Sequence, residues 1–417
     1  MNLPIKKNII AGLEIGTTKI IVLIGEILDN ETINIIGFGK SSSQGLEKGK
    51  INNLELLIKC INKSIHDAEV MANCQIYSVF LSASYQEIYC HNEIGITPIK
   101  HKEVTKQDIK TVIDTAASVK IDNDHSILHI IPQDFIIDRQ FGIKNPIGLS
   151  GKRIQANVHI ITCNKNINDN IIKAVKKCGV FIKKTIFSGL ASSLALLTEE
   201  EKNSGVCLID MGGETMNITM YSRGSLYHNI VIPYAGNTVT RDIAYAFSLS
   251  YSDAEFIKKK YGYAETNISI SCQKLKIYNK KGKKIIHCDY DSLVEVINLR
   301  YTELLNLAKD EIMRTYSLNN FKNHEAQEPS TIVLTGGSSQ VKYLSQCAKK
   351  IFHANIILKK PCNILTIPEY LSKPEYSTSI GLLCYGKNSY KRSLEKKKKY
   401  GPLEHLFKTI KRWLRTI

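Results

Sequence analysis

Apolar residues form short runs early in the chain and again after residue 205, and a glycine-containing turn follows each run. The run IIAGLEI, residues 9–15, is followed by the turn GTTK, residues 16–19, and then by a second apolar run. Two apolar runs joined by a short polar turn predict a β-hairpin. The segment CLIDMGGETMNITMYS, residues 207–222, has the same form. The sequence therefore predicts two hairpins about 200 residues apart.

The two predicted hairpins align without gaps. Glu14 matches Asp210, and Gly16 matches Gly212. In both, an acid ends a strand and a turn of glycine and small or hydroxyl residues follows, which lets the phosphates of a ligand approach the backbone amides. Either turn alone is usually only a hairpin. The pair implies two similar domains that close on one ligand.

Three further segments fit this arrangement. TIVLTGGSSQVKYL, residues 331–344, predicts a strand, a glycine turn and a helix; alone it is an ordinary strand-to-helix turn. FSGLASSLALL, residues 187–197, and STSIGLLCYG, residues 377–386, predict helices rich in small residues. Such helices can cross closely, as a hinge between two lobes requires, although ordinary core packing uses the same residues.

The C-terminal segment has a different pattern. Its apolar residues recur with helical spacing after Pro402, and cations occupy the other positions. This predicts an amphipathic helix over 402–417, with a polar, charged and flexible linker over 387–401. A stripe of this kind usually packs on the protein's own core. Here the single Trp of the chain lies on it, so we favour a helix that lies in an anionic membrane surface. The apolar positions are Leu403, Leu406, Phe407, Ile410, Trp413, Leu414 and Ile417, and the cations are Lys408, Lys411, Arg412 and Arg415.

Charge and composition narrow the functional class. The net charge is +17, but residues 387–417 hold 11 Lys or Arg and only two Asp or Glu, so +9 of it lies in this segment. This distribution argues against a nucleic-acid binder. No apolar run reaches the roughly 18 residues of a membrane span. The 11 cysteines show no CxxC spacing, which is typical of free thiols in a reducing compartment.

The five elements, in this order, resemble the actin/Hsp70/sugar-kinase superfamily. GLEIGTTK, GIKNPIGLSG, IFSGLASS, VIPYAGNTVTRDIAYAF, RYTELLNL and IVLTGGSSQ resemble, more closely, the FtsA family of bacterial cell-division proteins. The resemblance covers nearly the whole chain. It implies an α/β, actin-like fold of two lobes, which are duplicated ribonuclease-H-like domains, with a small inserted α+β subdomain and a C-terminal amphipathic helix.

The resemblance also implies a division of the chain. Lobe 1 would comprise residues 1–84 and 163–195, with the inserted subdomain at 85–162. Lobe 2 would comprise residues 196–227 and 301–386, with a further subdomain at 228–300.

ATP and Mg²⁺ are the cofactors that the resemblance implies. Glu14 and Asp210 would orient Mg²⁺ largely through its waters. Glu255 is transferred from a superfamily helix that contacts the nucleoside, although a solvated helix face would look the same. The implied nucleotide-binding residues are Gly16, Thr17, Thr18, Lys19, Gly212, Gly213, Glu214, Thr215, Gly236, Glu255, Gly336, Gly337 and Ser338.

Glu214 departs from the family pattern, in which a third glycine usually stands at this position. A positive φ there would cost a glutamate roughly 1 kcal/mol. A carboxylate pointing inward would repel phosphates. Asn217 likewise replaces an acid that is often found nearby. We therefore expect ATP to bind but to be hydrolysed weakly at most.

The function implied by the resemblance is that of an adaptor rather than an enzyme. It would tether the FtsZ ring to the cytoplasmic face of the inner membrane at the division septum. Its partners would be the FtsZ tail peptide, anionic lipid, further copies of itself in filaments, and later division proteins, but no nucleic acid. The segment RYTELL, predicted as a helix that begins at Arg300, resembles part of the surface that receives the FtsZ tail peptide. A cation there could pair with an acidic peptide, although a helical Arg is more often a solubilising group. The alternative is an ATP-dependent sugar or acid kinase of the same superfamily.

Overall fold

The computed structural model describes residues 8–266, 274–278, 285–320, 329–362 and 367–399. These residues form two α/β lobes and an inserted α+β unit. The predicted amphipathic helix, 402–417, lies outside the described residues, as do the apolar and cationic positions assigned to it.

Lobe 1 is built on a five-stranded sheet of order β11-β6-β1-β2-β3. Strands β1, β2 and β3 are antiparallel, whereas β6 and β11 run parallel to β1. The strands are β1 (Ile9–Ile15), β2 (Lys19–Ile27), β3 (Ile33–Ser42), β6 (Ser78–Ala83) and β11 (Phe181–Phe187), and a small hairpin comprises β4 (Leu46–Glu47) and β5 (Lys50–Ile51). Its helices are α1 (Leu54–Ala72), which follows that hairpin, and α3 (Lys165–Lys177).

Lobe 2 repeats this topology. Its sheet has the order β14-β13-β12-β17-β18, with an antiparallel β12-β13-β14 meander and the parallel strands β17 and β18. The strands are β12 (Val206–Met211), β13 (Met216–Ser222), β14 (Ser225–Ile232), β17 (Thr331–Thr335) and β18 (Asn355–Leu358), and a separate hairpin comprises β15 (Lys274–Tyr278) and β16 (Ile285–Asp289). Both predicted hairpins and the duplication are confirmed.

Helices surround the second sheet and connect the lobes. They are α4 (Ser188–Leu196), α5 (Glu199–Ser204), α6 (Gly236–Ala246), α7 (Tyr251–Tyr261), α8 (Tyr290–Asn320), α9 (Leu344–Phe352) and α10 (Ser377–Lys399). Three short 3₁₀ turns cover Gly337–Gln340, Glu369–Leu371 and Pro374–Tyr376. Among the described residues, no helix combines the length and apolarity needed to cross a bilayer.

The inserted α+β unit joins β6 to α3. Its elements are β7 (Ile88–Pro98), α2 (Lys106–Ala117), β8 (His125–Ile137), β9 (Gln140–Ile143) and β10 (Arg153–Asn164), with the sheet order β7-β10-β8-β9. One face of this sheet packs on α2 through Val112 and Ala116. The small inserted subdomain that the family resemblance implied is therefore present.

Local sequence explains why these elements form. Strands β1 and β2 are almost continuously apolar because helices cover both faces of their sheet, so side chains of either orientation are buried. Helix α1 begins at Asn53, whose side chain accepts a hydrogen bond from the Leu56 N–H at 3.1 Å. It ends at Asn73, which adopts the left-handed conformation with φ 49°.

Three sequence predictions differ from the structure. Residues 387–399, predicted as flexible linker, continue α10, because Lys, Leu, Glu and Ser can extend a helix that is already nucleated. The segment RYTELL does not begin a helix at Arg300, since α8 starts at Tyr290. The glycine turn after β17 leads into a 3₁₀ turn, and α9 begins only at Leu344.

Helix α10 also packs on a different lobe from the one predicted. Residues 377–386 were assigned to lobe 2, but α10 packs on β1 and β2 of lobe 1, where Leu382 and Leu383 lie close to Gly12 and Gly25. It crosses α4 at Gly381, where an added Cβ would lie 1.8 Å from the carbonyl oxygen of Ala191. The predicted close crossing of the two small-residue helices is confirmed.

We predict that Gly381→Ala destabilises the protein. Helix propensity alone favours Ala over Gly by up to about 1 kcal/mol. Overpacking against the α4 backbone should outweigh this gain and leave a net loss of about 1–3 kcal/mol. Urea unfolding followed by circular dichroism measures the change. Asn388→Ala on the exposed side of α10 is the control and should not destabilise. Equal or greater stability of Gly381→Ala would refute the tight crossing.

Candidate functional site

The two hairpin turns have the same construction. Strand pairing ends at Ile15 with Ile20 in one and at Met211 with Met216 in the other, so each turn holds four residues. The Gly16 N–H donates to the Lys19 carbonyl at 3.0 Å, and the Gly212 N–H donates to the Thr215 carbonyl at 2.9 Å. The gapless alignment of the two segments is therefore a structural equivalence.

The strands bring two acids, Glu14 and Asp210, to the same cavity. The Ser379 hydroxyl donates to Glu14, while the hydroxyls of Ser192 and Thr378 donate to Asp210. Burial raises the pKa of both carboxyl groups, although the Lys19 ammonium and these hydroxyls oppose the rise. Two carboxylates that line one cavity favour a divalent cation near them.

The third loop, after β17, contacts the second acid. Strand β17 pairs with β12 so that Thr335 lies opposite Asp210. Gly336 follows with φ 91°, and an added Cβ would lie 2.5 Å from Asp210 Oδ1. Only glycine fits this backbone conformation and this space. The loop predicted to flank a nucleoside is therefore fixed beside the two turns.

Lys19 lies within this cavity and pairs with Glu375. Its ammonium donates to the Glu375 backbone carbonyl and lies 3.5 Å from the Glu375 carboxylate. Lys40 approaches the same carboxylate at 3.3 Å. Burial disfavours ionisation of Glu375, but the two ammonium groups outweigh that effect and lower its pKa.

The cavity enclosed by these elements is small. Its volume is about 60 Å³, whereas ligand pockets typically measure at least about 300 Å³. The space between the two turns is therefore narrow in this conformation. Lining residues include the predicted Glu14, Gly16, Thr17, Thr18, Lys19, Asp210, Gly212, Gly213, Thr215, Gly336 and Gly337, together with Ser82, Ser84, Ser188, Asn217, Glu375 and Thr378.

Four residues predicted to bind nucleotide do not line this cavity: Glu214, Gly236, Glu255 and Ser338. Glu255 instead pairs with Lys258 at 2.7 Å and with Lys259 at 2.9 Å. Gly236 and Ser338 contact each other and the second turn, since the Ser338 hydroxyl donates to the Gly212 carbonyl at 2.6 Å.

Neither of the two costs expected for a glutamate in the second turn arises at Glu214. Its φ is not positive, so no backbone strain arises. Its side chain turns away from the cavity and is only 8% exposed. The carboxylate accepts hydrogen bonds from the Lys48 backbone N–H at 2.6 Å and from Arg241 at 2.7 Å. A carboxylate that is already paired with an arginine does not face the phosphate position.

Arg300 also differs from its predicted state. Its guanidinium pairs with Asp242 and with Glu303, and the carboxylate of Asp242 raises its pKa. Arg300 is therefore not the available cation that was predicted to pair with an acidic peptide. The acid that pairs with it lies on α6, 58 residues away in sequence.

Sequence reasoning missed the hydroxyl groups of the site. Ser192 and Thr378 belong to the small-residue helices, whose composition indicated close packing but not a role as donors to Asp210. Ser84 bridges the lobes, with its hydroxyl 2.9 Å from that of Thr215 and within hydrogen-bond distance of the buried Asn217 amide. Serine and threonine in otherwise small-residue helices were the available signal.

A second cavity, of about 740 Å³, lies between the inserted unit and lobe 2. It is larger than the first and is lined by residues of β7, β14 and α8, with Tyr89 and Tyr234 among them. It contains neither the glycine turns nor the paired buried acids. Size alone therefore does not decide which of the two cavities is the candidate functional site.

The donor set of the first cavity fits a phosphate chain and a hydrated magnesium ion. Two four-residue turns and the Lys19 ammonium supply hydrogen-bond donors, and two carboxylates supply the hard oxygen ligands that magnesium prefers. The volume of about 60 Å³ is smaller than a whole nucleotide, so this cavity matches the phosphate and metal part of such a ligand.

Two lobes of identical topology, joined by crossing helices around paired buried acids, define an actin-like protein. Solved structures of this class share the fold. The PilM-PilN type IV pilus biogenesis complex contains a chain with a TM-score of 0.63 and 16% identity, covering 91% of this chain and 98% of that one. MreB5 of Spiroplasma citri bound to ADP has a TM-score of 0.53 and 13% identity, covering 94% and 100%.

Within this class, the chain belongs to the FtsA family of cell-division proteins. The family profile "Cell division protein FtsA" matches residues 207–381, and "SHS2 domain inserted in FTSA" matches residues 86–162. Cell division protein FtsA of Buchnera aphidicola subsp. Schizaphis graminum is 50% identical over 409 residues, which cover 98% of both chains. The Escherichia coli K12 protein is 46% identical over 384 residues, covering 92% of this chain and 91% of that one. The chain is thus an actin-like cell-division protein, and the kinase alternative is not favoured.

We predict that Asp210→Asn stabilises the ligand-free protein at neutral pH. Because burial raises the folded-state pKa of Asp210, the unfolded chain ionises first as pH rises, and the parent loses stability above the unfolded pKa of about 3.9. Asn avoids this loss, so its advantage should be present at pH 7 and disappear below about pH 4. Urea unfolding at several pH values measures it. A destabilised variant at pH 7 would contradict this interpretation.

Proposed function

We propose that this protein is an ATP-binding adaptor that tethers the FtsZ ring to the cytoplasmic face of the inner membrane at the septum. Membership of the FtsA family supports a division role that is not primarily catalytic. The main support for this proposal is that one chain combines an actin-like cleft with a C-terminal segment whose sequence suits a membrane surface.

The nucleotide part of the proposal rests on the cleft. Gly16, Thr17 and Thr18 hold phosphates from lobe 1, Gly212, Gly213 and Thr215 hold them from lobe 2, and Gly336 and Gly337 flank the nucleoside. Glu14 and Asp210 would orient Mg²⁺ through its waters. The ion would supply positive charge against the phosphates, and the two acids beside it would stay ionised despite their burial.

In this proposal the site binds ATP and hydrolyses it weakly at most. Asn217, at the position where an acid is often found, is a buried amide bonded to Ser84 and cannot accept a proton as a general base. Glu214 is engaged with Arg241 and the Lys48 amide instead of facing the cavity. Nucleotide therefore serves to set the conformation of the lobes, and turnover is weak.

The membrane part of the proposal rests on sequence. Helix α10 runs to Lys399, and the predicted stripe begins four residues later at Leu403. Burial of the stripe's apolar side chains in the interface stabilises binding at about 25 cal/mol per Å². Each Lys or Arg near an anionic surface adds about 1 kcal/mol.

In this proposal the protein also binds FtsZ, further copies of itself and later division proteins. Exposed residues of lobe 2 near α8 receive the acidic tail peptide of FtsZ, with Arg300 fixing Asp242 there instead of acting as a free cation. The inserted unit contributes to contacts between successive copies in a filament, because β7 is an edge strand that exposes Ile94 and Ile96. Later division proteins then bind the assembled filament.

We predict that Trp413→Glu releases the full-length protein from anionic liposomes. Full burial of an indole could contribute several kcal/mol, and a carboxylate at this depth is repelled by the lipid. Co-sedimentation with neutral and anionic vesicles measures binding. His405→Glu, off the apolar stripe, is the matched charge control and should weaken binding far less. Sedimentation of Trp413→Glu like the parent would exclude this segment as the anchor.

The lysines before the stripe should act differently. Replacing Lys396, Lys397, Lys398 and Lys399 with Gln should weaken binding gradually, on anionic lipid and at low salt, because screening removes the same attraction. An equal loss on neutral lipid would show that the lysines do not act through lipid charge.

We predict that Ile94→Asp prevents lipid-dependent self-association while preserving the fold. Ile94 is 54% exposed, so its replacement should change stability by less than about 0.5 kcal/mol. Electron microscopy of the protein on lipid monolayers measures assembly. Val70→Asp, on α1 and 66% exposed, is the control. Normal filaments of Ile94→Asp would exclude this strand from the contact.

A further inference from the structure

Glu214 joins the two lobes through a hydrogen bond. It stands in the second turn, in lobe 2, and its carboxylate accepts the backbone N–H of Lys48 from the β4–β5 hairpin of lobe 1 at 2.6 Å. Arg241, on α6 of lobe 2, donates to the other carboxylate oxygen at 2.7 Å. Glu214 is therefore oriented within its own lobe and bonded to the other.

The lobe 1 side of this contact is held in an uncommon conformation. Lys48 has φ 48° and Gly49 has φ 78°, which are the two positive values that a type I′ hairpin turn requires. A left-handed conformation is unfavourable for lysine, so the surrounding structure must hold it there. Gly49 packs on Tyr85, where an added Cβ would lie 2.5 Å from Tyr85 Cβ. The hairpin thus presents the Lys48 amide on a support anchored in lobe 1.

The bond from Lys48 to Glu214 is stronger than the contact between Ser84 and Thr215, which also joins the lobes. The Ser84 and Thr215 hydroxyls lie 2.9 Å apart, but both are neutral. A hydrogen bond to an ionised carboxylate is roughly twice as strong as one between neutral groups. Glu214 is 8% exposed and Arg241 47%, so solvent screens the bond to Lys48 less than it screens a surface pair.

We propose that Glu214, oriented by Arg241, is a latch that holds the two lobes together and thereby limits the rate of nucleotide entry. The proposal rests on the proposed nucleotide binding. The cavity between the turns measures about 60 Å³, so in this proposal the nucleotide enters molecules whose lobes have separated. The apparent dissociation constant is then the intrinsic constant divided by the open fraction.

The latch predicts nucleotide-binding kinetics that differ from those expected if the Glu214 carboxylate directly repelled phosphate. Loss of the latch raises the open fraction, so the association rate rises and the apparent Kd falls by the same factor, while the dissociation rate stays unchanged. A carboxylate that repelled bound phosphate would act mainly on dissociation. Replacement of Arg241 further distinguishes the latch from direct repulsion of phosphate. Removal of a neutralising cation would weaken binding under repulsion, but it strengthens binding when the cation holds the latch.

The test uses the full-length protein and a fluorescent ATP analogue with Mg²⁺ in stopped flow. Glu214→Ala should associate on the order of tenfold faster, as expected for loss of one charge-assisted hydrogen bond. Arg241→Gln should associate faster by a smaller factor. Its side chain is half exposed, so it tests the latch even if Glu214→Ala folds poorly. Glu265→Ala is the matched control, because Glu265 is 10% exposed and pairs with Lys350 at 2.7 Å away from the cleft.

Hydrogen exchange of the ligand-free proteins provides a readout that needs no nucleotide. Exchange of the Lys48 amide should rise severalfold in Arg241→Gln, which keeps the Glu214 acceptor, and stay unchanged in Glu265→Ala. Unchanged exchange, unchanged association rates, or weaker binding by Arg241→Gln would each overturn the latch. If the parent and every variant fail to bind the analogue, the proposed nucleotide function fails, and exchange at Lys48 alone decides whether the contact closes the lobes.

Discussion

The structure depends on one electrostatic constraint, the burial of two carboxylates on equivalent strands. Glu14 and Asp210 lie at the ends of β1 and β12 and face the same cavity. Burial opposes their ionisation, and hydroxyls of α4 and α10 together with Lys19 offset part of that cost. The connecting helices must therefore cross where Ser192, Thr378 and Ser379 can reach both acids. A hydrated divalent cation between the lobes would complete the neutralisation, which links nucleotide binding to the position of the lobes.

The same constraint explains the small residues at the centre of the molecule. Gly381 lets α10 approach the α4 backbone, and Gly336 brings the third loop against Asp210. Gly213 lies so near the first turn that an added Cβ would be 2.4 Å from Thr18 Cγ2. Any side chain at these positions would separate elements that must meet around the acids. The cleft is thus built by close backbone approach, and it can close almost completely.

Much of this arrangement could be predicted from sequence, because its signals are local. The hairpins and the small-residue helices each follow from the spacing of apolar residues and glycines within a short segment, whereas the inserted unit was implied by the family resemblance. The orientation of Glu214 could not be predicted in this way, since it depends on Lys48, which lies 166 residues away. Arg300 was misjudged for the same reason, as its partner Asp242 belongs to another helix. The predicted linker failed for a different reason, because a charged segment attached to a stable helix extends it.

The central claim is that the buried acid pair serves a magnesium nucleotide. The thermal unfolding midpoint of the full-length protein with Mg-ATP, compared with ATP plus EDTA, tests this claim most directly. Ligand that binds only the folded state raises the midpoint with concentration. The account predicts a clear rise with Mg-ATP and a much smaller one without the metal, because the two acids then repel the phosphates. The same rise with and without the metal, or no rise at all, would contradict it.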